Sequence, residues 1–300
     1  MKKTLIIIGG ATASGKTETA IILAQKFKSE IISADSRQFY KEMTIGTAKP
    51  STEERDKVPH FFIDTHSITE LTLTSAGFMK HGREKISELF KQGVQDVIVT
   101  GGSGMFIDAL IDGLHPSPSD PKVREKLHQE WNKKGMTPLL EELQTKDPET
   151  YAKIDISNPM RVLRALEIIR VSGQTLEEIR KEPKDGIEYP VTRFSISWKR
   201  EDLYERINQR VDQMIHDGLF DEVKNLPLKE NLLLQNTVGY KEWIPHFDNG
   251  MSFEDTIAMI KKNSRNYGKR QETWMRRYSD LICLNPYDSI SMTDQLIQHI

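Results

Sequence analysis

Gly10-Ala11-Thr12-Ala13-Ser14-Gly15-Lys16-Thr17 is the stretch from which the rest of the chain is read. It follows the apolar run Leu5-Ile6-Ile7-Ile8 and leads into Thr19-Ala20-Ile21-Ile22-Leu23-Ala24. A strand, a glycine-rich loop and a helix start therefore stand in the order that the G-x-x-x-x-G-K-[ST] pattern of a P-loop requires. Such a loop turns successive backbone N–H groups toward one centre, and the positive end of the following helix adds to the same field. Residues 10–17 are thus suited to hold a phosphate or diphosphate. Lys16 brings a point charge to the far phosphate, and the Thr17 hydroxyl is placed to ligate Mg²⁺. The competing reading is a chance match in a Gly/Ser turn, and the flanking strand and helix argue against it.

Three hundred residues are enough for one large or two modest domains. The Met-Lys-Lys start and its apolar run end in the P-loop, not at a small-residue cleavage site, so they read as a strand and not a signal peptide. No apolar stretch is long enough to span a bilayer, and the expected compartment is the cytoplasm. The single cysteine, Cys283, lies in Leu281-Ile282-Cys283-Leu284 and is expected to pack in the core of a buried strand. Eight histidines and this cysteine show no zinc spacing. Net charge is −2, yet residues 261–277 hold seven Lys/Arg against one Glu, a local +6 that leaves −8 for the remainder. Such a concentration resembles an electrostatic footprint on nucleic acid.

Along the chain, Glu30 to Ala34 reads as a second strand that ends at Asp35-Ser36-Arg37-Gln38. In an open α/β sheet the ligand crevice lies outside the carboxyl ends of the strands, so Asp35 and the P-loop should face one cleft; the plainer alternative is that Asp35 only caps the next turn. His60, in the short strand from Pro59 to Asp64, reads as structural. Leu71 to Gln92 is helical in pattern, and Val94 to Thr100 is a strand running into Gly101-Gly102-Ser103-Gly104. That strand ends in Thr100, so the Walker-B carboxylate of an ordinary NTPase is missing. From about Leu114 the texture changes: a proline-rich linker opens a run of helices without strand pattern up to about Pro190. The expected fold class is α/β, a P-loop NTPase-like core with a parallel sheet and an inserted all-helical domain. The expected boundaries are 1–114 and 191–300 for the core and 115–190 for the insertion.

In that insertion Asn158-Pro159 is a helix start, and Val162, Leu163, Leu166 and Ile169 form one apolar stripe with Arg161 and Arg164 on the other side. Arg193 to Trp198 alternates at period two and returns the chain to the sheet. In the helix from Asp202 to His216, Arg206 and Arg210 share a flank at i, i+4; spacing leaves phosphate cradling and surface ion pairing equally open. Thr237 to Glu242 is expected to open a further helix. Phe253 to Tyr278 is two-faced: Lys262, Arg265, Lys269 and Arg276 fall on one side, while Ile257, Ile260, Tyr267, Trp274, Met275 and Tyr278 fall on the other. The basic side is read as a phosphate-binding face, against the alternative of an ordinary solvated one.

Taken together, Gly10 to Thr17, Asp35-Ser36-Arg37-Gln38-x-Tyr40, Gly46-Thr47-Ala48-Lys49-Pro50, Gly101 to Gly104, Asn158-Pro159-x-Arg161-x-x-Arg164-Ala165-Leu166-Glu167, Gly239-Tyr240-Lys241-Glu242 and Lys269-Arg270-Gln271-x-Thr273-Trp274 resemble the ordered motifs of the tRNA dimethylallyltransferases, or tRNA isopentenyltransferases. The resemblance covers nearly the whole chain. It implies transfer of a dimethylallyl group from dimethylallyl diphosphate to the exocyclic amine of the adenine immediately 3′ of certain tRNA anticodons. It implies a catalytic set of Asp35 as general base, Arg206 and Ser103, with the P-loop and Arg206 holding the diphosphate. It further implies tRNA contacts at Asp35, Ser36, Arg37 and Gln38, at Pro159, Met160, Arg161, Val162 and Leu163, and at Ser103 and Arg124. Two departures stand out. Ala11 occupies a position where the family usually has proline, and Gly268 replaces the usual alanine at about 1 kcal/mol of helix propensity.

The residues agree with that resemblance on their own terms. A P-loop without a Walker-B carboxylate suits a diphosphate leaving group as well as a nucleotide, and Lys16, loop amides, Mg²⁺ and Arg206 would stabilise the charge that develops on it. The runner-up is a P-loop kinase of a small metabolite, which also places an Asp after its second strand but has no use for the basic helix. A non-catalytic RNA-binding protein and a prenyltransferase acting on free adenine nucleotides are the remaining alternatives.

Overall fold

The computed structural model describes residues 3–70 and 73–300. Leu5 to Ile8 and Val97 to Val99 are continuous apolar runs that become fully buried strands, as in a parallel sheet covered on both faces. In chain order the first elements are β1 (Thr4–Gly9), α1 (Lys16–Phe27), β2 (Ile31–Ser33), α2 (Thr52–Lys57), β3 (His60–Phe61), α3 (Ser75–Lys91), β4 (Asp96–Gly101) and α4 (Gly104–Asp112). Five helices follow, α5 (Pro121–Lys134), α6 (Thr137–Lys146), α7 (Pro148–Lys153), α8 (Pro159–Ser172) and α9 (Leu176–Lys181). The chain then runs through β5 (Val191–Ile196), α10 (Arg200–His216), α11 (Leu219–Lys224), α12 (Leu232–Gln235), α13 (Trp243–Asn249), α14 (Phe253–Met275), β6 (Leu281–Leu284) and α15 (Met292–Ile297).

These elements form two compact units, one made of the residues up to Ile111 with Glu188–Ile300, the other of Asp112–Ile187. The first unit carries the sheet, of order β3-β2-β4-β1-β5-β6 with every pair parallel. Because β4 lies between β1 and β2, with Gly9 opposite Gly101 and Ser33 opposite Thr100, the carboxyl ends of these three strands are neighbours. One face packs Ile6, Ile8, Ile98 and Phe194 against Leu23 and Ala24 of α1. Phe39, Phe78 and Phe106 stack together at centroid distances of 5.0 to 5.9 Å. The second unit has its own core, where Val162, Leu163, Leu166 and Ile169 of α8 meet Leu127, Leu139 and Leu143. Asn158 caps α8 by accepting the Met160 N–H.

Three local expectations change. The helix expected from Leu71 starts at Ser75, where the Thr74 hydroxyl accepts the Gly77 N–H and fixes the first turn; Leu71 and Thr72 lie outside the described residues. Cys283 is exposed rather than packed in the core, because β6 is an edge strand whose alternation sends Leu284 inward and Cys283 outward. Thr237 to Glu242 is a turn, with α13 starting only at Trp243, since the Glu242 carboxylate turns back to accept the Gly239 N–H.

Candidate functional site

The P-loop is fixed from outside through its carbonyls. Arg206 Nε donates to the Ala13 carbonyl at 2.9 Å and Trp198 Nε1 to the Ser14 carbonyl at 2.9 Å, with the Arg206 guanidinium stacked 4.3 Å over the Trp198 ring. The Lys16 ammonium folds back on the Ala11 carbonyl. Ala13 and Gly15 take left-handed backbone angles, φ 61° and 98°, which turn the loop into the start of α1. Arg206 thus reaches the loop that the sequence assigned it to, although its Nε is spent on holding the loop's shape.

Arg210, one turn further along α10, enters the site more deeply. Its guanidinium donates to the Thr12 hydroxyl at 3.3 Å and to the Ala48 carbonyl at 3.5 Å. Burial pushes its pKa down, against the pull of Asp35. Lys16 is half-buried at the cavity wall, and burial, reinforced by the Arg210 charge and only partly opposed by Asp35, lowers its pKa to about 7. Lys16, Arg37, Arg210, Lys241 and Arg270 thus line a pocket in which Asp35 is the one carboxylate among the described residues, a balance that favours an anionic ligand.

Asp35 combines both roles weighed for it. Its Oδ1 accepts the Arg37 N–H at 2.9 Å, closing a local turn, while Oδ2 has no hydrogen bond among the described residues. The second glycine turn joins it from β4: the Ser103 hydroxyl accepts the Ser36 N–H at 2.9 Å. Gly102 has no room for a side chain, since a Cβ there would lie 1.8 Å from Gln271 Nε2. That amide of α14 donates to the Gly102 carbonyl at 3.1 Å, and its Oε1 accepts the Thr12 N–H at 2.8 Å, so one glutamine ties the P-loop to the second glycine turn. Tyr267, placed by periodicity on the apolar side, borders the same space. Its phenol is pushed up to about 12 by burial and the Asp35 charge, with the Ser103 hydroxyl pulling the other way.

Thr12, Lys16, Asp35, Arg210, Tyr267 and Gln271 line one cavity of about 290 Å³, whereas neither Arg206 nor Ser103 is among its lining residues. Its polar lining includes Lys16, Thr17, Arg210 and Asp35, and its apolar lining includes Ile207, Val211, Met214, Val238 and Ile260. A second depression of about 540 Å³ lies over the P-loop and shares Lys16, Thr17, Pro50 and Arg210 with the first. The Thr100 hydroxyl at the end of β4 bonds to the Ile8 carbonyl inside the sheet, so no acid stands at the Walker-B position. Thr17 has no side-chain hydrogen bond among the described residues, and those residues hold no cluster of three or more His, Cys, Asp or Glu able to cage a metal. The oxygen donors present, the Thr17 hydroxyl and the Asp35 carboxylate, fit a hard cation such as Mg²⁺ only when substrate phosphates complete its shell.

Comparison with known proteins gives the family. The family described as IPP transferase matches residues 38–278. The chain belongs to the IPP transferase family. It is 38% identical over 295 residues to a tRNA dimethylallyltransferase of Cytophaga hutchinsonii, covering 98% of this chain and 96% of that one. It is 41% identical to a tRNA dimethylallyltransferase of Flavobacterium johnsoniae, over 92% of this chain and 91% of that one. A crystal structure of a tRNA isopentenylpyrophosphate transferase from Bacillus halodurans superposes with a TM-score of 0.70 at 33% identity, covering 100% of this chain and 94% of that one. A eukaryotic dimethylallyltransferase described as acting on tRNA superposes with a TM-score of 0.82 at 26% identity, over 98% of this chain and 78% of that one. The α/β fold with a parallel sheet is that of an IPP transferase.

The residues assigned to tRNA are placed unevenly. Ser36 and Arg37 border the cavity. Gln38 also borders it, but its amide is spent inside, donating to the Thr47 and Ala48 carbonyls and accepting from the Ser33 hydroxyl. Of the stretch from Pro159, Met160 is 53% exposed and Arg161 is exposed. Val162 and Leu163 are 0% and 3% exposed, and their side chains belong to the core of their unit, in the apolar stripe that builds the helix. Arg124 is held by Glu167 and by the Ser119 hydroxyl. Lys262 and Lys269 on α14, and Arg276 just after it, are exposed without an ion-pair partner among the described residues. Arg265 instead donates to Asn208 at 2.7 Å. Sequence reasoning missed Tyr267, Arg270 and Gln271 as site residues, although Arg270 and Gln271 stood in a quoted motif, and it left Arg210 open beside Arg206.

Proposed function

We propose that this enzyme transfers a dimethylallyl group from dimethylallyl diphosphate to the exocyclic amine of the adenine 3′-adjacent to the anticodon in tRNA, releasing diphosphate. The observation that carries this reading is the mixed lining of the cavity, where Lys16, Thr17, Arg210 and Asp35 meet five apolar side chains, three of them on the same helix as Arg210. The polar lining suits a diphosphate, and the apolar lining suits a short branched hydrocarbon that a kinase's phosphoacceptor would not require. The relatives named above are dimethylallyltransferases, which agrees with that choice.

In this reading Lys16, the loop amides, Arg206 and Arg210 neutralise the charge that develops as the allylic C–O bond breaks. The amine nitrogen bonds to the freed carbon and its proton passes to Asp35 Oδ2. Thr17 is the residue that would hold Mg²⁺, which when bound would neutralise further charge on the leaving diphosphate. The target base leaves its stack to reach the cavity. Lys262, Lys269 and Arg276 meet tRNA phosphates, and the helical unit supplies further contacts through Met160 and Arg161. The cytoplasm is the compartment where such a substrate is found.

Incubating the protein with labelled dimethylallyl diphosphate or with labelled ATP, each with and without unmodified tRNA, tests the assignment. Label should enter tRNA from the prenyl donor alone. Transfer from ATP, or prenylation of a free adenine nucleotide without tRNA, would refute it.

A further inference from the structure

Two motifs singled out in the sequence, Gly46-Thr47-Ala48-Lys49-Pro50 and Gly239-Tyr240-Lys241-Glu242, have no part in the chemistry above, and the structure joins them through one carboxylate. Glu222, on α11, accepts three successive backbone N–H groups, from Thr44 at 3.0 Å, Ile45 at 2.7 Å and Gly46 at 3.1 Å. The Tyr240 hydroxyl donates to the same carboxylate at 2.7 Å. Three converging amides form an anion-binding nest, and here a side chain fills it. Gly46 is needed for the closure, since a Cβ there would lie 2.6 Å from the Tyr240 ring. Tyr240 is fully buried, and burial with the Glu222 charge pushes its phenol up, which keeps it a donor.

The segment held in this way reaches the reacting groups. The Ala48 carbonyl accepts Arg210 at 3.5 Å, and the Thr47 and Ala48 carbonyls accept Gln38. Ala48 itself sits at φ 46°, a left-handed conformation that a non-glycine residue keeps only where its surroundings over-determine it. Arg210 from α10 and Glu222 from α11 therefore grip residues 44–48 from two consecutive helices.

We propose that Glu222 is a positioning residue for Arg210: by clamping the amides of residues 44–46 it fixes the Ala48 carbonyl that orients the Arg210 guanidinium toward the diphosphate. This rests on the donor-binding role given to Arg210 above. Glu222→Gln replaces one acceptor oxygen with an NH₂ group that opposes the nest. It should raise the KM for dimethylallyl diphosphate, and the Kd for inorganic diphosphate measured by calorimetry, about tenfold, with a smaller change in the KM for tRNA. Tyr240→Phe leaves the three amide bonds and should give a weaker effect in the same direction. The double variant Glu222→Gln with Arg210→Ala should bind diphosphate no worse than Arg210→Ala alone, because residues acting through one another are not additive. Independent, additive losses would overturn the proposal. So would a Glu222→Gln variant that melts earlier but binds diphosphate like the parent. If Glu222→Gln does not fold, the Tyr240→Phe comparison and its cycle with Arg210→Ala decide in its place. A parent protein that transfers no prenyl group, yet shows the cycle in diphosphate binding, would defeat the functional reading and leave the clamp standing.

Discussion

Affinity for the diphosphate donor should fall as pH rises above neutrality, because the P-loop lysine is half-buried beside another cation. Lys16 titrates at about 7 in the ligand-free site, lowered first by burial and then by Arg210. Donor binding adds negative charge beside it and favours the ammonium, so a proton is taken up on binding wherever the free lysine is neutral. With that value about half of the free enzyme carries the charge at pH 7 and about one part in a hundred at pH 9. Affinity should then drop about 50-fold from pH 7 to 9, approaching tenfold, or ~1.4 kcal/mol, per pH unit toward the upper end. The second ionisation of a phosphate group lies near 6, below the window, and does not mask the trend. The assay is KM for dimethylallyl diphosphate from pH 7 to 9 at saturating tRNA, with calorimetry in two buffers of different ionisation enthalpy to count the protons. Arg210→Ala, by removing a like charge, should move the break to higher pH. The same burial has a stability consequence of definite sign. The unfolded lysine binds its proton up to about pH 10.5 while the folded one releases it near 7, so folding stability from this group rises with pH between those values. Lys16→Met should accordingly raise Tm at pH 7 while abolishing donor binding. A KM that stays flat from pH 7 to 9, with no proton uptake, would refute the account of a neutralised lysine.

Asp35→Asn keeps an Oδ1 acceptor for the Arg37 N–H but removes basicity, so kcat should fall by about 10² to 10⁴ with both KM values within a few-fold; transfer at the parent rate would reduce Asp35 to a turn residue. Replacing Lys262, Lys269 and Arg276 together by Ala should flatten the salt dependence of tRNA binding by roughly 0.7 to 0.9 per residue in log K against log salt, whereas an unchanged slope would make them an ordinary solvated face. Gly102→Ala should displace Gln271 and break its bonds to Thr12 and Gly102, costing about 1 to 3 kcal/mol in Tm-derived stability and weakening donor binding; an unaffected variant would mean the glutamine re-seats freely.

The core of the fold was legible because its signals are local. The P-loop spacing, the apolar runs of β1 and β4 and the cap at Asn158 each depend on residues close in sequence, and each is found where the pattern put it. Asp35 was legible for the same reason, since a strand's carboxyl end names its own cleft. What periodicity could not assign was the face of α14 that carries Tyr267 and Gln271. A helix wheel sorts residues by polarity, and a tyrosine lining a cavity has the same hydropathy as one buried in a core. Arg210 could not be separated from Arg206 because i, i+4 spacing gives a shared flank but not depth, and depth is set by the Ala48 carbonyl, 162 residues away in sequence. Cys283 went wrong through the same limit: four apolar residues in a row do not say which strand is at the edge.

Glu167 shows how a motif can be read correctly as a motif and still mislead about its residues. The run from Asn158 to Glu167 places Arg161 and Arg164 on the polar side of α8, which invites a role for both on RNA. Glu167, however, is only 1% exposed, and its carboxylate collects Arg164 at 2.8 Å, Arg124 at 3.0 Å and the Ser119 hydroxyl at 2.9 Å. Those partners hold its pKa down against the opposing effect of burial. Both arginines are partly exposed, so solvent screens each pair, but Glu167 itself is buried and losing either partner leaves its charge less compensated. An RNA phosphate competing for Arg124 or Arg164 would have to offset that loss. Arg164 also donates to the Ser117 and Pro118 carbonyls, so the two arginines together fasten the proline-rich segment to α8. Arg161, by contrast, lies 3.8 Å from the half-exposed Asp155, a weak pairing that a phosphate can displace at little cost. Within this motif the guanidinium least engaged by the fold is therefore that of Arg161, and the buried glutamate explains why its neighbour three residues on serves the fold.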